Sequence, residues 1–141
     1  AGRGLLRYVR ATLSEVFSYV SEPYTITVAG ETFERRALIV ELANGRQYGN
    51  GAMIAPDAKL DDGLLELVVV EPLKPFRILW NIRRLFDGTI NQEPSVGTWT
   101  ASKITISAAQ PIPFHVDGEI ALGAKSLVAT VHPGALRIRG P

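Results

Sequence analysis

Two carboxylates flank a glycine in the segment Phe114-His115-Val116-Asp117-Gly118-Glu119, where a strand is predicted to end. A carboxylate such as Asp117 or Glu119 can accept the proton of a substrate hydroxyl or orient a metal ion that is bound to phosphate. The same residues are also typical of a hairpin turn whose acids are solvated. His115 has no obvious partner in the sequence, which favours a structural role. From these residues alone, both interpretations of the two acids stand.

A second acidic segment, Pro56-Asp57-Ala58-Lys59-Leu60-Asp61-Asp62-Gly63, comes just before an apolar stretch. Hard cations such as Mg²⁺ bind carboxylate oxygens and the backbone carbonyls of irregular segments, so this loop could hold one. It is not an EF-hand, because its glycine falls one position late and Lys59 stands where an acid belongs. The alternative is an ordinary Asp-Gly turn that enters a strand.

Glycines also cluster at Gly45, Gly49 and Gly51, around Tyr48 and Asn50. Their spacing matches neither the P-loop nor the dinucleotide-binding fingerprint. The sequence therefore contains no convincing cradle for a triphosphate.

Most of the chain is predicted to form short strands, and these strands must position the acidic and glycine-rich segments. Apolar and polar residues alternate in 24–28, and the β-rich stretch Ala37–Leu42 follows. Asn44-Gly45 predicts a type I′ hairpin between that stretch and Arg46–Ile54, because both turn positions need a positive φ. The apolar run in Leu64–Glu71 predicts a strand that is buried on both faces.

Helical periodicity occurs twice. Apolar residues at helical spacing predict a helix over Leu5–Val20, which Pro23 ends, and a second helix over Phe76–Phe86, which Gly88 ends. After an irregular polar stretch, four more strands are predicted, around Ile104/Ile106, Ile112/Phe114/Val116, Leu127/Ala129/Val131 and Leu136/Ile138. The predicted fold is mainly β: an antiparallel β-sandwich of about eight strands with an N-terminal helix and one central helical insertion.

Composition limits the classes of function. The chain has 141 residues and is expected to form one domain. It has no cysteine, which excludes disulfides, thiol nucleophiles and cysteine-metal sites, and this fits a cytoplasmic location. A formal charge of +1 gives little support to nucleic-acid binding. Its apolar runs fall far short of the roughly 20 residues that span a bilayer.

The predicted helix Phe76–Phe86 carries Arg77, Arg83 and Arg84 beside Trp80 and Phe86. Such a helix can lie at an anionic membrane surface, with apolar side chains inserted and arginines near the head groups. A helix packed on the sheet with its arginines outward would have the same sequence pattern.

Taken together, five segments resemble, in order and approximate spacing, the diacylglycerol-kinase-like lipid kinases, a group that includes bacterial lipid kinases and the sphingosine and ceramide kinases. The segments are Asn44-Gly45-Arg46-Gln47-Tyr48-Gly49-Asn50-Gly51, Ile54-Ala55-Pro56-Asp57-Ala58, Leu60-Asp61-Asp62-Gly63-Leu64-Leu65, Val116-Asp117-Gly118-Glu119 and Pro133-Gly134-Ala135-Leu136. The resemblance covers nearly the whole chain.

Members of that family have an N-terminal α/β domain with a Gly-Gly-Asp-Gly-Thr motif and a C-terminal β-sandwich domain. Residues 1–141 resemble only the second and lack that motif. The resemblance therefore implies the lipid-substrate domain of an ATP-dependent kinase that phosphorylates a diacylglycerol-like hydroxyl. Most of the ATP would be held by the missing N-terminal nucleotide-binding domain, and the fragment alone would be inactive, because phosphoryl transfer requires both reactants in position.

The resemblance also implies roles for individual residues. Glu119 would be the general base, and Asp117 would share that role or hold the catalytic metal network. A structural Mg²⁺ would use the Asp62 carboxylate with backbone oxygens near Lys59 and Leu64. Many relatives have a Gly-x-His feature after the central helix, where this chain has Gly88-Thr89-Ile90.

Expected partners are the lipid substrate, the missing domain, a membrane contacted peripherally through Phe76–Phe86, and a second copy that pairs through the exposed domain face. The rival hypothesis is a stand-alone β-sandwich module that binds an amphiphile or a protein through Phe76–Phe86 without catalysis. The kinase hypothesis expects Asp117 and Glu119 in a cleft beside an exposed apolar face, whereas the binding module allows them at a remote hairpin tip.

Overall fold

The structure is a computed structural model, and it describes residues 21–136. Within that range it contains eleven strands, one α-helix and one 3-10 helix. They are β1 (Pro23–Val28), β2 (Glu31–Arg36), β3 (Ile39–Ala43), β4 (Gln47–Gly49), β5 (Ala52–Met53), β6 (Leu65–Val70), α1 (Pro75–Asp87), the 3-10 helix (Ile90–Gln92), β7 (Val96–Ala101), β8 (Lys103–Ala108), β9 (Pro113–Val116), β10 (Glu119–Leu122) and β11 (Ser126–Thr130). The predicted helix Leu5–Val20 and the Ile138 end of the last predicted strand lie outside the described residues.

Two antiparallel sheets form the predicted sandwich. A four-stranded sheet has the order β11-β8-β1-β2, and a three-stranded sheet has the order β3-β6-β7. Alternate residues of each sheet meet in one core, in which Ile26, Leu67 and Ile104 are fully buried. Burying each such side chain contributes about 1.5–3 kcal/mol. The mainly β fold class with antiparallel sheets is confirmed.

Strand β6 is buried on both faces, as its apolar run predicts. Leu67 and Val69 face the sandwich core, whereas Val68 and Val70 belong to a second apolar cluster on the other face of the sheet. That cluster includes Ile54 and Ala55 of the loop after β5, Ile90 of the 3-10 helix and Val96 of β7. The loop that carries Asp57–Gly63 therefore begins on the outer face of the three-stranded sheet.

The hairpin predicted at Asn44-Gly45 is wrong. β3 pairs with β6, and the local hairpin joins β4 to β5 around the next Asn-Gly pair, Asn50-Gly51. Asn50 and Gly51 have φ values of 48° and 81°, as a type I′ turn requires, whereas neither residue of Asn44-Gly45 has a positive φ. Both Asn-Gly pairs have the sequence that favours a type I′ turn, and the pairing of β3 with β6 determines which of them forms the hairpin.

The polar stretch after α1 is not irregular throughout, because it contains β7. All six residues of β7 pair with β6. Threonine and tryptophan favour strands, and burial of Val96 and Ala101 at the two ends fixes the strand against β6. β2 and β10 are not predicted by the sequence pattern, because they are mostly exposed second strands of hairpins and have no buried apolar alternation.

The predicted central helix is confirmed as α1. Pro75 lies in its first turn, and Gly88 ends it with φ 71° while its N–H bonds to the Arg84 carbonyl. Thr89 follows, and its hydroxyl donates to Asp87 Oδ1 at 2.5 Å. Ile90, which stands at the histidine position of the Gly-x-His feature, is buried. A side chain at Gly88 would approach Met53 Cε to 3.0 Å, so α1 ends tightly against β5.

Candidate active site

The hairpin β9–β10 carries the two acids that the sequence singles out. Asp117 and Gly118 have φ values of 49° and 88°, so they form the predicted turn, and Glu119 pairs with Val116 directly across it. Both carboxylates are exposed. They stand at a hairpin tip, and their flanking apolar neighbours Val116 and Ile120 are uncovered, with Ile120 87% exposed. Within residues 21–136 the acids stand beside an exposed apolar surface, as the kinase hypothesis expects, but at a hairpin tip and not in a cleft, which is the position that the binding-module hypothesis allows.

The base of this hairpin is fixed by backbone hydrogen bonds. Ile112 N–H donates to the Ala124 carbonyl, and Gly123 N–H donates back to the Ile112 carbonyl at 3.1 Å. A side chain at Gly123 would lie 2.6 Å from that carbonyl oxygen, which is closer than real contacts allow. Glycine is therefore required where the hairpin leaves the four-stranded sheet.

Farther along the hairpin, His115 contacts a second hairpin. His115 Nε2 lies 3.1 Å from the Tyr48 hydroxyl of β4, and the two rings meet edge to face with centroids 5.9 Å apart. The half-buried Glu41 of β3 has a pKa raised by burial, an effect that the nearby His115 partly opposes. His115 therefore has partners, which the sequence alone did not reveal.

These contacts bring together residues that sequence reasoning did not connect. Tyr48 was noted only as a neighbour of glycines, and Glu41 was not singled out. The sequence features that could have drawn attention to these residues are the position of Glu41, an acid inside an apolar strand, and that of Tyr48, an aromatic residue inside a glycine-rich turn. Neither feature indicates that Tyr48 contacts His115, which lies 67 residues away in the sequence.

The acidic loop before β6 turns at Asp62-Gly63. Asp62 Oδ1 accepts a hydrogen bond from the Leu64 N–H at 2.9 Å, and Gly63 has a φ of 72°. This is the Asp-Gly turn into a strand that the sequence offered as one alternative. The same turn packs against the Pro-Gly motif, because a side chain at Gly63 would lie 3.3 Å from Pro133 Cγ.

Negative charge accumulates around this loop. The pKa of the buried Glu66 is raised by burial and further by the charges of Asp57 and Asp62. Asp57 Oδ2 accepts a hydrogen bond from Asn91 Nδ2 at 2.6 Å. Across residues 21–136, no group of three or more histidines or acids has a metal-binding arrangement. The predicted site needs one carboxylate with backbone oxygens, and this donor set of oxygens in a negative field fits a hard cation.

Helix α1 presents its apolar residues outward. The exposed large side chains are Phe76, Leu79, Trp80, Ile82 and Phe86. The inner side of the helix is mixed: Leu85 packs against the outer apolar cluster, Asn81 is buried, and Arg77 forms an ion pair of 2.5 Å with buried Glu93. Asn81 and Arg84 also have buried polar atoms without a hydrogen-bond partner among the described residues. No helix in 21–136 is both long and apolar enough to cross a membrane.

Comparison with known proteins identifies relatives that match most of the chain. A family model described as the YegS C-terminal NAD kinase beta sandwich-like domain matches residues 1–140. A Salmonella arizonae protein named "Probable lipid kinase YegS" is 32% identical over 122 residues, which are 85% of this chain and 39% of that protein. A Yersinia enterocolitica protein named "Probable lipid kinase YegS-like" is 36% identical over 107 residues, 74% of this chain and 34% of that protein.

Solved structures give the same fold. A crystal structure described as a putative diacylglycerol kinase from Bacillus anthracis strain Sterne has a TM-score of 0.66 and 25% identity, and the match covers 92% of this chain and 47% of that one. A second such structure from the same strain matches with a TM-score of 0.61 at 24% identity, over 86% of this chain and 41% of the other. The chain thus spans less than half the length of these relatives.

Proposed function

Since the chain belongs to the family of YegS C-terminal NAD kinase beta sandwich-like domains, we propose that it is the substrate-side domain of an ATP-dependent lipid kinase. The reaction is transfer of the γ-phosphate to a hydroxyl of a diacylglycerol-like lipid. ATP is held mainly by an N-terminal nucleotide-binding domain, and the isolated 141-residue chain has negligible activity. The relatives named as lipid kinases extend well beyond the matched part, which supports this division of labour.

The observation that carries the proposal is the convergence of family motifs on one exposed surface. The hairpin with Asp117-Gly118-Glu119 meets the glycine-rich segment through His115 and Tyr48, although these two residues are 67 positions apart. Its tip is bordered by uncovered Val116 and Ile120. Exposed apolar groups beside carboxylates suit a surface that another domain and an amphiphilic substrate cover.

In the proposed mechanism, Glu119 accepts the proton of the lipid hydroxyl as the hydroxyl oxygen bonds to the γ-phosphorus of ATP, the bond between the γ-phosphorus and the β–γ bridging oxygen breaks, and ADP leaves. Asp117 shares that role or orients the metal-bound phosphate. Glu119 is exposed at the hairpin tip, so its carboxylate is accessible to a substrate hydroxyl. Proton transfer by a positioned side chain contributes roughly 10²–10⁴-fold to a rate. The rest of the acceleration would come from positioning both reactants.

We also propose that Mg²⁺ binds at the loop before β6, with the Asp62 carboxylate and the backbone oxygens of Lys59 and Leu64 as ligands. A cation there would offset the charges of Asp57 and Asp62, which add to burial in raising the pKa of Glu66. When bound, it would hold the loop in place. Asp62→Asn should therefore weaken the protection that millimolar Mg²⁺ gives against thermal unfolding, whereas Asp61→Asn provides the matched control. Equal protection of both variants would contradict the site.

The outward apolar face of α1 supports peripheral contact with an anionic membrane at the cytoplasmic surface. Trp80 is 76% exposed, and the Arg83 side chain on the same face is 90% exposed. Aromatic and aliphatic groups can enter the interface while a long arginine extends to the head groups. Among the described residues, Leu85 packs against the outer apolar cluster, while the larger apolar side chains of α1 stay exposed, which supports this contact.

Vesicle flotation of the full-length protein that contains this chain tests the membrane contact. Trp80→Ser should reduce binding to vesicles of phosphatidylcholine and phosphatidylglycerol, and Val128→Ser, which removes an exposed apolar group from β11, should not. Unchanged flotation of Trp80→Ser would overturn the contact. Loss of a concentration-dependent dimer in Trp80→Ser, with unchanged flotation, would assign the face to a second copy.

Lipid kinase activity is tested by transfer of radiolabelled γ-phosphate from ATP with Mg²⁺ to a panel of lipids. The full-length protein should label a lipid acceptor, and the isolated chain should not. The panel includes diacylglycerol, a sphingoid base and phosphatidylglycerol, so the acceptor class is identified. Failure to label any lipid, together with retained vesicle binding, would favour the stand-alone amphiphile-binding module.

A further inference from the structure

We propose that the hydrogen bond between His115 and Tyr48 is a positioning device that holds the β9–β10 hairpin, and with it Asp117 and Glu119, in register for catalysis. The catalytic part of this role rests on the proposed function. The contact itself is present in the structure, with His115 Nε2 and the Tyr48 hydroxyl 3.1 Å apart.

The hairpin needs such a restraint because it is a separate two-stranded sheet. β9 and β10 pair only with each other among the described strands, through four residue pairs. A two-stranded hairpin is marginally stable by itself in water. Its backbone bonds to the rest of the domain lie at its base, at Ile112, Gly123 and Ala124. The turn with Asp117 lies several residues beyond that base, roughly 13 Å along an extended strand.

His115 lies between the base and the turn, one residue before Val116, which pairs with Glu119. A contact at this position limits sideways motion of the tip more than a contact at the base. Tyr48 presents its hydroxyl from the other small hairpin, β4–β5, whose Asn50-Gly51 turn has φ values of 48° and 81°. Two short hairpins thus brace each other through the Tyr48 and His115 side chains.

Glu41 adds an electrostatic component to this brace. It lies on β3, a strand of the main sandwich, and His115 is near enough to act on its charge. His115 is therefore near a strand of the main sandwich as well as in contact with β4. His115 is a positioning residue in this account, because it acts through the hairpin and not on the reacting atoms.

A misplacement of about 1 Å at a reacting group can lower a rate by as much as 100-fold. Tyr48→Phe, which removes one oxygen, should therefore lower kcat of the full-length protein by roughly tenfold with KM for ATP unchanged. His115→Phe keeps an aromatic ring and should have the same effect. Because both substitutions break the same Tyr48–His115 hydrogen bond, kcat of the double variant should be no lower than kcat of either single variant. His115→Gln retains an amide that can bond to Tyr48 and should recover most of kcat.

Hydrogen exchange supplies a measurement that does not depend on activity. Amides of β9 and β10 should exchange faster in Tyr48→Phe than in the unchanged protein, while amides of β1 and β8 should not change. Thr32→Val is the matched control, because it removes the 3.0 Å hydrogen bond between Thr27 and Thr32 in the β1–β2 hairpin. It should leave both kcat and the exchange of β9–β10 unaltered.

Three results would overturn this role. Lipid labelling by the unchanged protein with a normal kcat in Tyr48→Phe would remove the positioning role and leave the lipid kinase intact. Additive losses in the double variant would mean that the two side chains act separately. If the unchanged protein labels no lipid, the proposed function and the catalytic role of the contact both fail. In that case, unchanged amide exchange of β9–β10 in Tyr48→Phe would also show that the Tyr48–His115 contact does not restrain the hairpin.

Discussion

Two hairpins in this domain have the same turn but different surroundings. β1–β2 turns at Val28-Ala29-Gly30-Glu31 and β9–β10 turns at Val116-Asp117-Gly118-Glu119, so three of the four residue types are identical. The two central residues have φ values of 51° and 84° in the first and 49° and 88° in the second. In both hairpins the valine pairs directly with the glutamate.

The surroundings of the two hairpins differ, and this difference is the reason for proposing a catalytic role for the second hairpin and not for the first. Val28 is 1% exposed and belongs to the sandwich core, whereas Val116 is 59% exposed. β1 also pairs with β8 on its other side, so the first hairpin is part of the four-stranded sheet. The second is a separate two-stranded sheet that reaches Tyr48. Identical turn geometry thus serves sheet closure in one place and presents two carboxylates in the other.

Exchanging the turn residues should separate local geometry from position. Asp117→Ala converts the second turn to the sequence of the first and should lower lipid phosphorylation by roughly 10²-fold, because a carboxylate at the proposed site is lost. Ala29→Asp makes the reciprocal change and should leave the rate unaltered. Radiolabel transfer by the two full-length variants measures both effects. Equal rates in the two variants would contradict a role for Asp117.

Substituting alanine for each of the two turn glycines should introduce the same backbone strain but impair different properties of the protein. A side chain at Gly30 or Gly118 would meet nothing within 4 Å, so the cost comes from the positive φ alone, about 1–2 kcal/mol. Gly30→Ala should lower the thermal stability of the sandwich. Gly118→Ala should mainly lower kcat and speed amide exchange in β9–β10, because that hairpin can open locally. A larger loss of global stability in Gly118→Ala would contradict the comparison.

Glu41, beside the second hairpin, should make stability depend on pH. Burial raises its pKa above the ordinary value of 4.5, so the folded state binds this proton more tightly than the unfolded state. Its contribution to stability therefore falls as the pH rises from about 4.5 through the folded-state pKa. Glu41→Gln should raise Tm at pH 7.5 and have a smaller effect at pH 4.

The matched control for Glu41 is Glu34→Gln, on the exposed face of β2 in the first hairpin. It should change Tm little at either pH. Thermal melts of the full-length protein at the two pH values measure both variants. A Tm gain for Glu41→Gln that is larger at pH 4 than at pH 7.5 would contradict the direction of the shift.

Local chemistry was enough to predict several elements. The apolar run in Leu64–Glu71 predicted β6, and Asp117-Gly118 predicted its turn, because in each case the deciding interactions lie within a few residues. The Asn44-Gly45 prediction failed because a second Asn-Gly pair follows six residues later and pairing of β3 with β6 is a tertiary effect. β7 was missed because its strand-forming threonines and tryptophan are interleaved with few apolar residues.

The candidate site was predicted in part. The motif resemblance gave Asp117, Glu119 and Asp62, and their roles stay predictions. The Tyr48–His115 contact could not be predicted, because it depends on how two hairpins far apart in the chain are placed by the sandwich. The outward apolar face of α1 was also left open, since periodicity identifies an apolar face without showing which side meets the protein.

The paired glutamates offer the most direct test of the central claim. Glu119→Gln and Glu31→Gln each remove one charge from an exposed residue that follows a turn glycine in a type I′ hairpin. Transfer of γ-phosphate from ATP with Mg²⁺ to the lipid acceptor should fall by at least about 10²-fold in Glu119→Gln and stay unchanged in Glu31→Gln. Full activity in Glu119→Gln, or an equal loss in both variants, would contradict the assignment of Glu119 as the general base.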